Sequence, residues 1–348
     1  MKPRDKTEGL NDLESDIYLR KAIDEYSLFE GRKHCFPSVE DIHIGYGIDE
    51  NYVRCMGASI ASICFNNRRD NLVFHVLANG LKKDSMTKLN QLANDFNVNI
   101  HVYAINNRTF KHLPVQAHFP ASIYYRFILP AILTVPKILY LDADIICLGE
   151  IQSLPSVDMQ ANVVAAVPDL ESLASKRNHI LGLKQHTYFN SGVLLIDIQN
   201  WNNHYVAKKA LALLEQEPKK FRYPDQDVLN VVLTGKVKYL GKEWNRINTP
   251  DMVDNGIILL HFAAHPKPWS IAWGKSDLCN DFTRNIYSKY ENLSPWKNSK
   301  PTEPQNYKEM KYYAQCLLKA GDYKEGFYWY GRYLKTKMKT KLCAGNGI

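Results

Sequence analysis

The 348-residue sequence predicts an α/β protein: a mostly parallel sheet flanked by helices, followed by a small helical C-terminal region. Three observations carry that expectation. Short apolar, β-branched runs alternate with helix-length amphipathic segments through most of the chain, the pattern of strand–helix units covered on both faces. Several runs end directly in polar residues, and open α/β sheets bind ligands beyond the carboxyl ends of their strands. Around Ser294-Pro295-Trp296-Lys297 the texture changes to a polar linker, then to helical, aromatic and basic sequence from Tyr307 onward.

The elements follow in chain order. Residues 1–40 read as a leader with a helical segment; residues 1–33 carry seven Lys/Arg and eight Asp/Glu with no apolar h-region, so they are no signal peptide. Ile42–Tyr46 is the first predicted strand. Tyr52–Asn66 follows as a helix with Val53, Met56, Ile60 and Ile63 on one face, the 3.6-residue repeat of a core-facing stripe. Val73–Leu77 is a strand, Asp84–Phe96 a helix opened by a capping Asp or Ser, and Asn99–Ile105 another strand. Further strands are predicted at Ile138–Leu141, Val163–Val167 and Val193–Ile198, then a helix at His204–Gln216 and a last strand at Ile257–Phe262. The catalytic domain is expected over 41–280 and the C-terminal region over 281–348.

Composition narrows the class. Apolar residues make up 45% and charged residues 23%, which excludes a disordered or collagenous chain. No run approaches the roughly 18 apolar residues of a membrane span, so a cytoplasmic protein is expected. The seven cysteines are scattered without a C-x-x-C pair, which argues against a zinc or thioredoxin motif and for reduced thiols. The net charge is +8, and residues 297–348 hold eleven Lys/Arg against four Asp/Glu. The basic character lives in the tail.

Three strand-end sites carry chemistry. Lys137–Leu141 runs straight into Asp142-Ala143-Asp144; on an extended segment, carboxylates at i and i+2 face one side and suit a Mg²⁺ or Mn²⁺ ion holding a diphosphate. The alternative is a solvated pair of loop acids. Gly45-Tyr46-Gly47 leads to Asp49, Glu50 and Asn51. Glu50 occupies the third glycine position of a dinucleotide turn, where a carboxylate would repel a pyrophosphate, so a nicotinamide oxidoreductase is disfavoured. Asp49 and Asn51 fit either a base or ribose contact or a helix N-cap. The third site is His261…Lys267-Pro268-Trp269 after an apolar run. An imidazole beside two carboxylates would shift metal preference toward Mn²⁺, and Lys267 could neutralise a leaving phosphate; a satisfied core histidine is the plainer alternative.

Taken together, Ile48–Tyr52, Phe74–Leu77, Tyr124-Tyr-Arg126, the Asp142–Asp144 segment, Tyr188–Val193, Asp225-Gln-Asp227 and His261…Trp269 resemble, in order, glycosyltransferase family 8, retaining sugar-nucleotide transferases of GT-A fold. The resemblance implies a UDP-sugar donor and Mn²⁺ or Mg²⁺, with Asp142, Asp144 and His261 as metal ligands and Ala143 lining the same donor segment. It places Asp49, Asn51 and Tyr52 at the uracil and ribose, Lys267 at the diphosphate, and His118 and Arg126 in the donor site. Asp169, Asn190, Asp225 and Gln226 resemble the sugar-binding and reaction-centre residues. Where the family has a glycine, three residues after His261, this chain has Ala264, whose Cβ would crowd a diphosphate.

The Ser294–Lys297 turn and the Lys- and Tyr-rich segment after it are similar to the C-terminal region of bacterial lipopolysaccharide core hexosyltransferases. That similarity implies transfer of glucose or galactose from UDP to a lipopolysaccharide outer-core saccharide. The basic aromatic tail is expected to hold the enzyme peripherally on the anionic cytoplasmic face of the inner membrane, and no nucleic-acid recognition fold accompanies its charge. The competing expectation is a degenerate scaffold that binds a nucleotide sugar without transferring it.

Overall fold

The structure, a computed structural model, describes residues 17–32, 36, 39–115 and 120–345, with side chains to residue 340. Its strands are β1 (Ile23–Glu30), β2 (Asp41–Asp49), β3 (Asn71–Asn79), β4 (Asn99–Ile105), β5 (Lys137–Leu141), β6 (Ile145–Cys147), β7 (Val164–Pro168), β8 (Phe189–Asp197), β9 (Val237–Tyr239), β10 (Arg246–Ile247) and β11 (Leu259–His261). Eight of them form one sheet in the order β1-β4-β3-β2-β5-β8-β7-β9, and a small sheet has the order β10-β11-β6. The central strands β4, β3, β2 and β5 are parallel, whereas β1 on β4 and β8 between β5 and β7 are antiparallel. The α/β class holds, with a sheet more mixed than the sequence predicts.

The strand pattern follows from what each face covers. In β3, Asn-Leu-Val-Phe-His-Val-Leu-Ala is buried throughout, as a central strand between two helical layers must be. In β2, Ile42, Ile44, Tyr46 and Ile48 belong to one hydrophobic cluster, together with α1 (Val53–Asn66) and α2 (Lys83–Phe96). Gly47 faces the other way, where a Cβ would stand 2.8 Å from the Ser122 carbonyl oxygen. Its missing side chain lets the 3₁₀ segment Ala121–Phe127, which carries Arg126, lie against the sheet. The glycines before Asp49 are therefore strand residues serving packing rather than a phosphate turn. The second cluster, on that opposite face, gathers α3 (Leu129–Ile132), α5 (Ile198–Asn203), α6 (Val206–Gln216) and α7 (Pro224–Val232), with α4 (Glu171–Leu181) alongside α7.

Several expectations shift. The helix predicted at His204–Gln216 begins two residues later, because Tyr205 takes a left-handed conformation (φ 53°) between α5 and α6. The strand predicted at Val193–Ile198 starts at Phe189 instead, and Ile198 opens α5 after its Asp197 cap. Ile257–Phe262 shortens to β11 and pairs with β6 outside the main sheet. Residues 23–30, assigned by sequence to the leader, form the sheet's edge strand β1.

Past the sheet, α8 (Asp281–Leu293) packs on α1, tied by Arg54 donating to Glu291 at 2.5 and 2.9 Å. Tyr287, Tyr290 and Trp296 are buried in the first cluster, so α8 packs into the same core as β2 and α1. The helices α9 (Tyr307–Lys319) and α10 (Tyr323–Gly345) then form a hairpin, with Met310, Ala314 and Leu317 against Trp329 and Tyr333.

Candidate active site

The site forms where β5 ends. Its first carboxylate, Asp142, follows β5 directly, and Asp144 precedes β6. The residues between are a turn, not the extended i, i+2 segment the sequence suggests. The chain must leave the main sheet for the small one, and the turn rather than strand alternation brings the carboxylates together. Pairing of β6 with β11 then sets His261 opposite Ile145, the residue after Asp144. One ligand atom each from Asp142, Asp144 and His261 lie within 4.8 Å of one another, the one such His/Cys/acid cluster among the described residues. Two hard oxygens and an imidazole fit a divalent cation with further positions open for ligand oxygens. Gly192 on β8 makes room for it: a Cβ there would collide with the His261 ring and stand 2.9 Å from Asp142 Oδ2.

The surrounding charges are arranged in pairs. Buried Arg126 places Nη2 3.0 Å from Asp142 Oδ1 and 3.0 Å from Asp225 Oδ2, and donates from Nη1 to the Ser191 carbonyl at 2.7 Å. Its guanidinium lies 4.3 Å from the Tyr140 ring centroid, and Tyr140 itself donates to Asp142 Oδ1 at 3.0 Å. Burial acts to raise the Asp144 carboxyl, but Lys267 and His261 outweigh it and hold that group below the ordinary carboxylate range. The opposite balance holds at Asp225, where burial wins over Arg126 and raises the carboxyl. Lys267 uses all three N–H groups: Nζ donates to Asp144 Oδ2 at 2.6 Å, to the Phe262 carbonyl at 2.8 Å and to the Ala263 carbonyl at 3.1 Å.

The residues assigned by sequence to the sugar form one buried network beside this centre. Asp169, just past β7, accepts from Gln226 Nε2 at 2.8 Å and Asn190 Nδ2 at 3.2 Å. Gln226 Oε1 accepts from the Ser191 N–H at 3.0 Å, and Ser191 Oγ donates to Asp225 Oδ2 at 3.2 Å. Asp225 and Gln226 lie inside the first turn of α7, which starts at Pro224. Behind them, Arg177 pairs with Asp227 at 2.6 Å, and the Tyr188 hydroxyl donates to Asp227 Oδ1 at 2.6 Å.

Asp49 ends β2 on the same side of the sheet. Its carboxylate accepts from the Asn51 N–H at 2.9 Å and does not cap α1, whose N-cap is Tyr52. Glu50 instead accepts from the Lys82 N–H at 2.9 Å and the Ser85 hydroxyl at 3.0 Å, at the start of α2, where free N–H groups favour an anion. Burial, and after it the Asp144 carboxylate, raises the Tyr52 hydroxyl well above its usual range, so it stays a proton donor. Tyr52 meets Trp269 edge-on at 5.6 Å. Ala264 is exposed, and His118 lies outside the described residues. Asn245, Gly192 and Tyr188 were given no role by sequence reasoning; the latter two stand inside a quoted motif, while Asn245 carries no local signal.

Residues 43–272 match the family described as Glycosyl transferase family 8, and 283–337 its C-terminal region. The chain belongs to glycosyl transferase family 8. It is therefore a glycosyltransferase with a GT-A fold. Among similar family members, the lipopolysaccharide glucosyltransferase WaaO of Escherichia coli is 33% identical, covering 86% of this chain and 91% of that one. The lipopolysaccharide 1,3-galactosyltransferase of Salmonella typhimurium is 30% identical over 86% of this chain and 92% of its own length. The galactosyltransferase LgtC, solved with donor and acceptor sugar analogues, shares the fold with a TM-score of 0.63 at 24% identity, over 76% of this chain and 98% of that one.

Proposed function

We propose that this family 8 member moves glucose or galactose from a UDP-sugar to a lipopolysaccharide outer-core saccharide, with retention of the α configuration. One observation carries the reading: the Asp142–Asp144–His261 cluster adjoins the buried Arg126–Asp225 pair and the Asp169–Asn190–Gln226 network. The acceptor class rests on relatives named for lipopolysaccharide transfer.

Mn²⁺ or Mg²⁺ held by Asp142, Asp144 and His261 would neutralise charge on the donor diphosphate as UDP leaves. The chain's own groups do the rest. Asp49, Asn51 and Tyr52 hold the base and ribose at the end of β2, and Asp169 and Asn190 take sugar hydroxyls. The bond from the anomeric carbon to the UDP oxygen breaks, the acceptor hydroxyl oxygen bonds to that carbon on the same face, and its proton passes to the departing UDP oxygen. Arg126 and Ser191 hold Asp225 through its Oδ2, and the reading takes the front-face course over a covalent one. Gln226 is fixed by Asp169 and Ser191, so its amide presents a fixed dipole to the positive charge developing on the sugar.

The reading also places the enzyme on the cytoplasmic face of the inner membrane, held peripherally through α10. Product analysis with UDP-glucose and UDP-galactose on truncated lipopolysaccharide acceptors tests the whole. An α-linked hexose on the outer core is expected; no transfer from either donor, with UDP-sugar still bound, would favour a non-transferring binding protein.

A further inference from the structure

A single chain of hydrogen bonds runs from the sugar-side carboxylate to the metal-side histidine, and its direction is set at one end. Asp169, when ionised, only accepts. Asn190 therefore turns Nδ2 toward it, at 3.2 Å, and its Oδ1 toward the Asn245 Nδ2, at 2.9 Å, and the Gly192 N–H, at 3.0 Å. With Asn245 Nδ2 committed to Asn190, Asn245 Oδ1 faces His261 Nδ1 at 2.9 Å. An amide oxygen accepts only, so His261 donates from Nδ1. Its Nε2 is left facing Asp144 Oδ1 at 3.3 Å and Asp142 Oδ2 at 3.9 Å. Asn190, Asn245 and His261 are all buried, so no solvent molecule is needed to define the polarity.

We infer that Asn245 is a positioning residue: it fixes the tautomer and ring orientation of His261 for metal ligation and ties that choice to Asn190 and Asp169 in the sugar subsite. The inference rests on Asp142, Asp144 and His261 being the metal ligands. A histidine ligand needs its second nitrogen held by an acceptor, and here the acceptor is itself oriented by the sugar-binding network. Loss of Asn245 thus acts in two directions, on the ion and on the sugar.

The two directions separate experimentally. Mn²⁺ titration of the metal-free protein, read by electron paramagnetic resonance, measures the first without any turnover. Asn245→Ala removes both bonds and should weaken Mn²⁺ binding by about 10- to 100-fold. Asn245→Asp keeps an acceptor for His261 but cannot donate to Asn190, and turning Asn190 over only moves the oxygen–oxygen clash to Asp169. It should therefore hold Mn²⁺ near the wild-type affinity while kcat falls at unchanged folding. Wild-type Mn²⁺ affinity in folded Asn245→Ala overturns the inference, as does equal loss of Mn²⁺ in the Asp and Ala variants. Asp144→Ala is the control for the metal reading itself: if it binds Mn²⁺ as the wild type does, the ion lies elsewhere and both readings fall. If Asn245→Ala does not fold, the Asp variant alone decides between retained and lost metal.

Discussion

The Lys267 ammonium lies 2.6 Å from Asp144 Oδ2, with both side chains almost fully buried. The cation that the sequence assigns to the diphosphate thus stands as counter-charge to a metal ligand. The carbonyls of Phe262 and Ala263 accept its other N–H groups. A cation entering the Asp142–Asp144–His261 cluster would compete with Lys267 for Asp144. Lys267 and the ion would then be alternative partners of one carboxylate.

Replacing Lys267 by Met tests this directly. It leaves buried Asp144 with His261 as its one remaining side-chain partner in the metal-free protein, a defect that costs at most about 3–5 kcal/mol. The variant should melt well below the wild type without metal, and Mn²⁺ should raise its melting temperature by more than it raises the wild type's. Identical melting curves for the two proteins, with and without Mn²⁺, would remove the shared-carboxylate account.

Much of this site is legible in sequence and part of it is not, for physical reasons. Asp142 and Asp144 stand out because they end a run, Ile138–Leu141, that burial on both sheet faces keeps apolar. Asn190 and Ser191 are as deeply placed in β8, yet their polarity hides the strand's first third from any apolar-run criterion. Their burial is tolerable only because Asp169, Gln226 and Asp225 satisfy them, partners 21 to 35 residues away in sequence. Asn245 is invisible for the same reason: its partners come from β8 and β11. Gly47 was legible as a glycine but not as the seat of the Arg126 segment, since that contact crosses the sheet.

Asp142→Ala and Asp144→Ala should each abolish transfer while the protein remains folded, because each removes a hard oxygen from the cluster. Circular dichroism establishes folding, and donor turnover with Mn²⁺ reads the loss. Full activity of either variant in the presence of EDTA would refute the metal centre.

Asp225→Asn and Gln226→Ala should lower kcat by about 10²-fold or more while UDP affinity changes little, since the proposed reading puts both residues at the sugar's reacting face. Calorimetric titration of UDP beside steady-state kinetics separates the two effects. Equal losses in affinity and turnover would move these residues to the nucleotide.

A histidine ladder on the sheet predicts acid sensitivity. His75 on β3 lies 3.0 Å from His43 and stacks on His101 with ring centroids 4.8 Å apart. Burial first, then His101 and His43, pushes His75 down to about 2 from its usual 6.5. The folded protein therefore keeps His75 neutral while the unfolded chain takes up a proton below pH 6.5. The contribution is fully present above that value and is lost as pH falls toward 2. Between pH 7 and 5 the wild type should lose about 2 kcal/mol more stability than His75→Gln, by urea unfolding at each pH. Parallel stability–pH curves would exclude His75 as the source.

The last prediction concerns α10. Its buried stripe, Trp329 and Tyr333, faces α9, but a second stripe at helical spacing has no such cover among the described residues. Tyr323, Phe327, Tyr330, Leu334 and Met338 are all exposed, Phe327 at 67%. Lys324, Lys335 and Lys339 lie beside them along the helix. No described helix is long and apolar enough to cross a membrane. An exposed apolar stripe flanked by lysines would suit a helix lying in the plane of an anionic surface. Aromatic rings would enter the headgroup layer, and each Lys or Arg near the surface adds about 1 kcal/mol. Deleting residues 335–348, or replacing Phe327 and Leu334 together by Ser, should leave donor hydrolysis intact and release the enzyme from anionic vesicles. Binding of the full chain should weaken at high salt as the charges are screened. Undiminished, salt-insensitive vesicle binding by both variants would show that α10 is not the anchor.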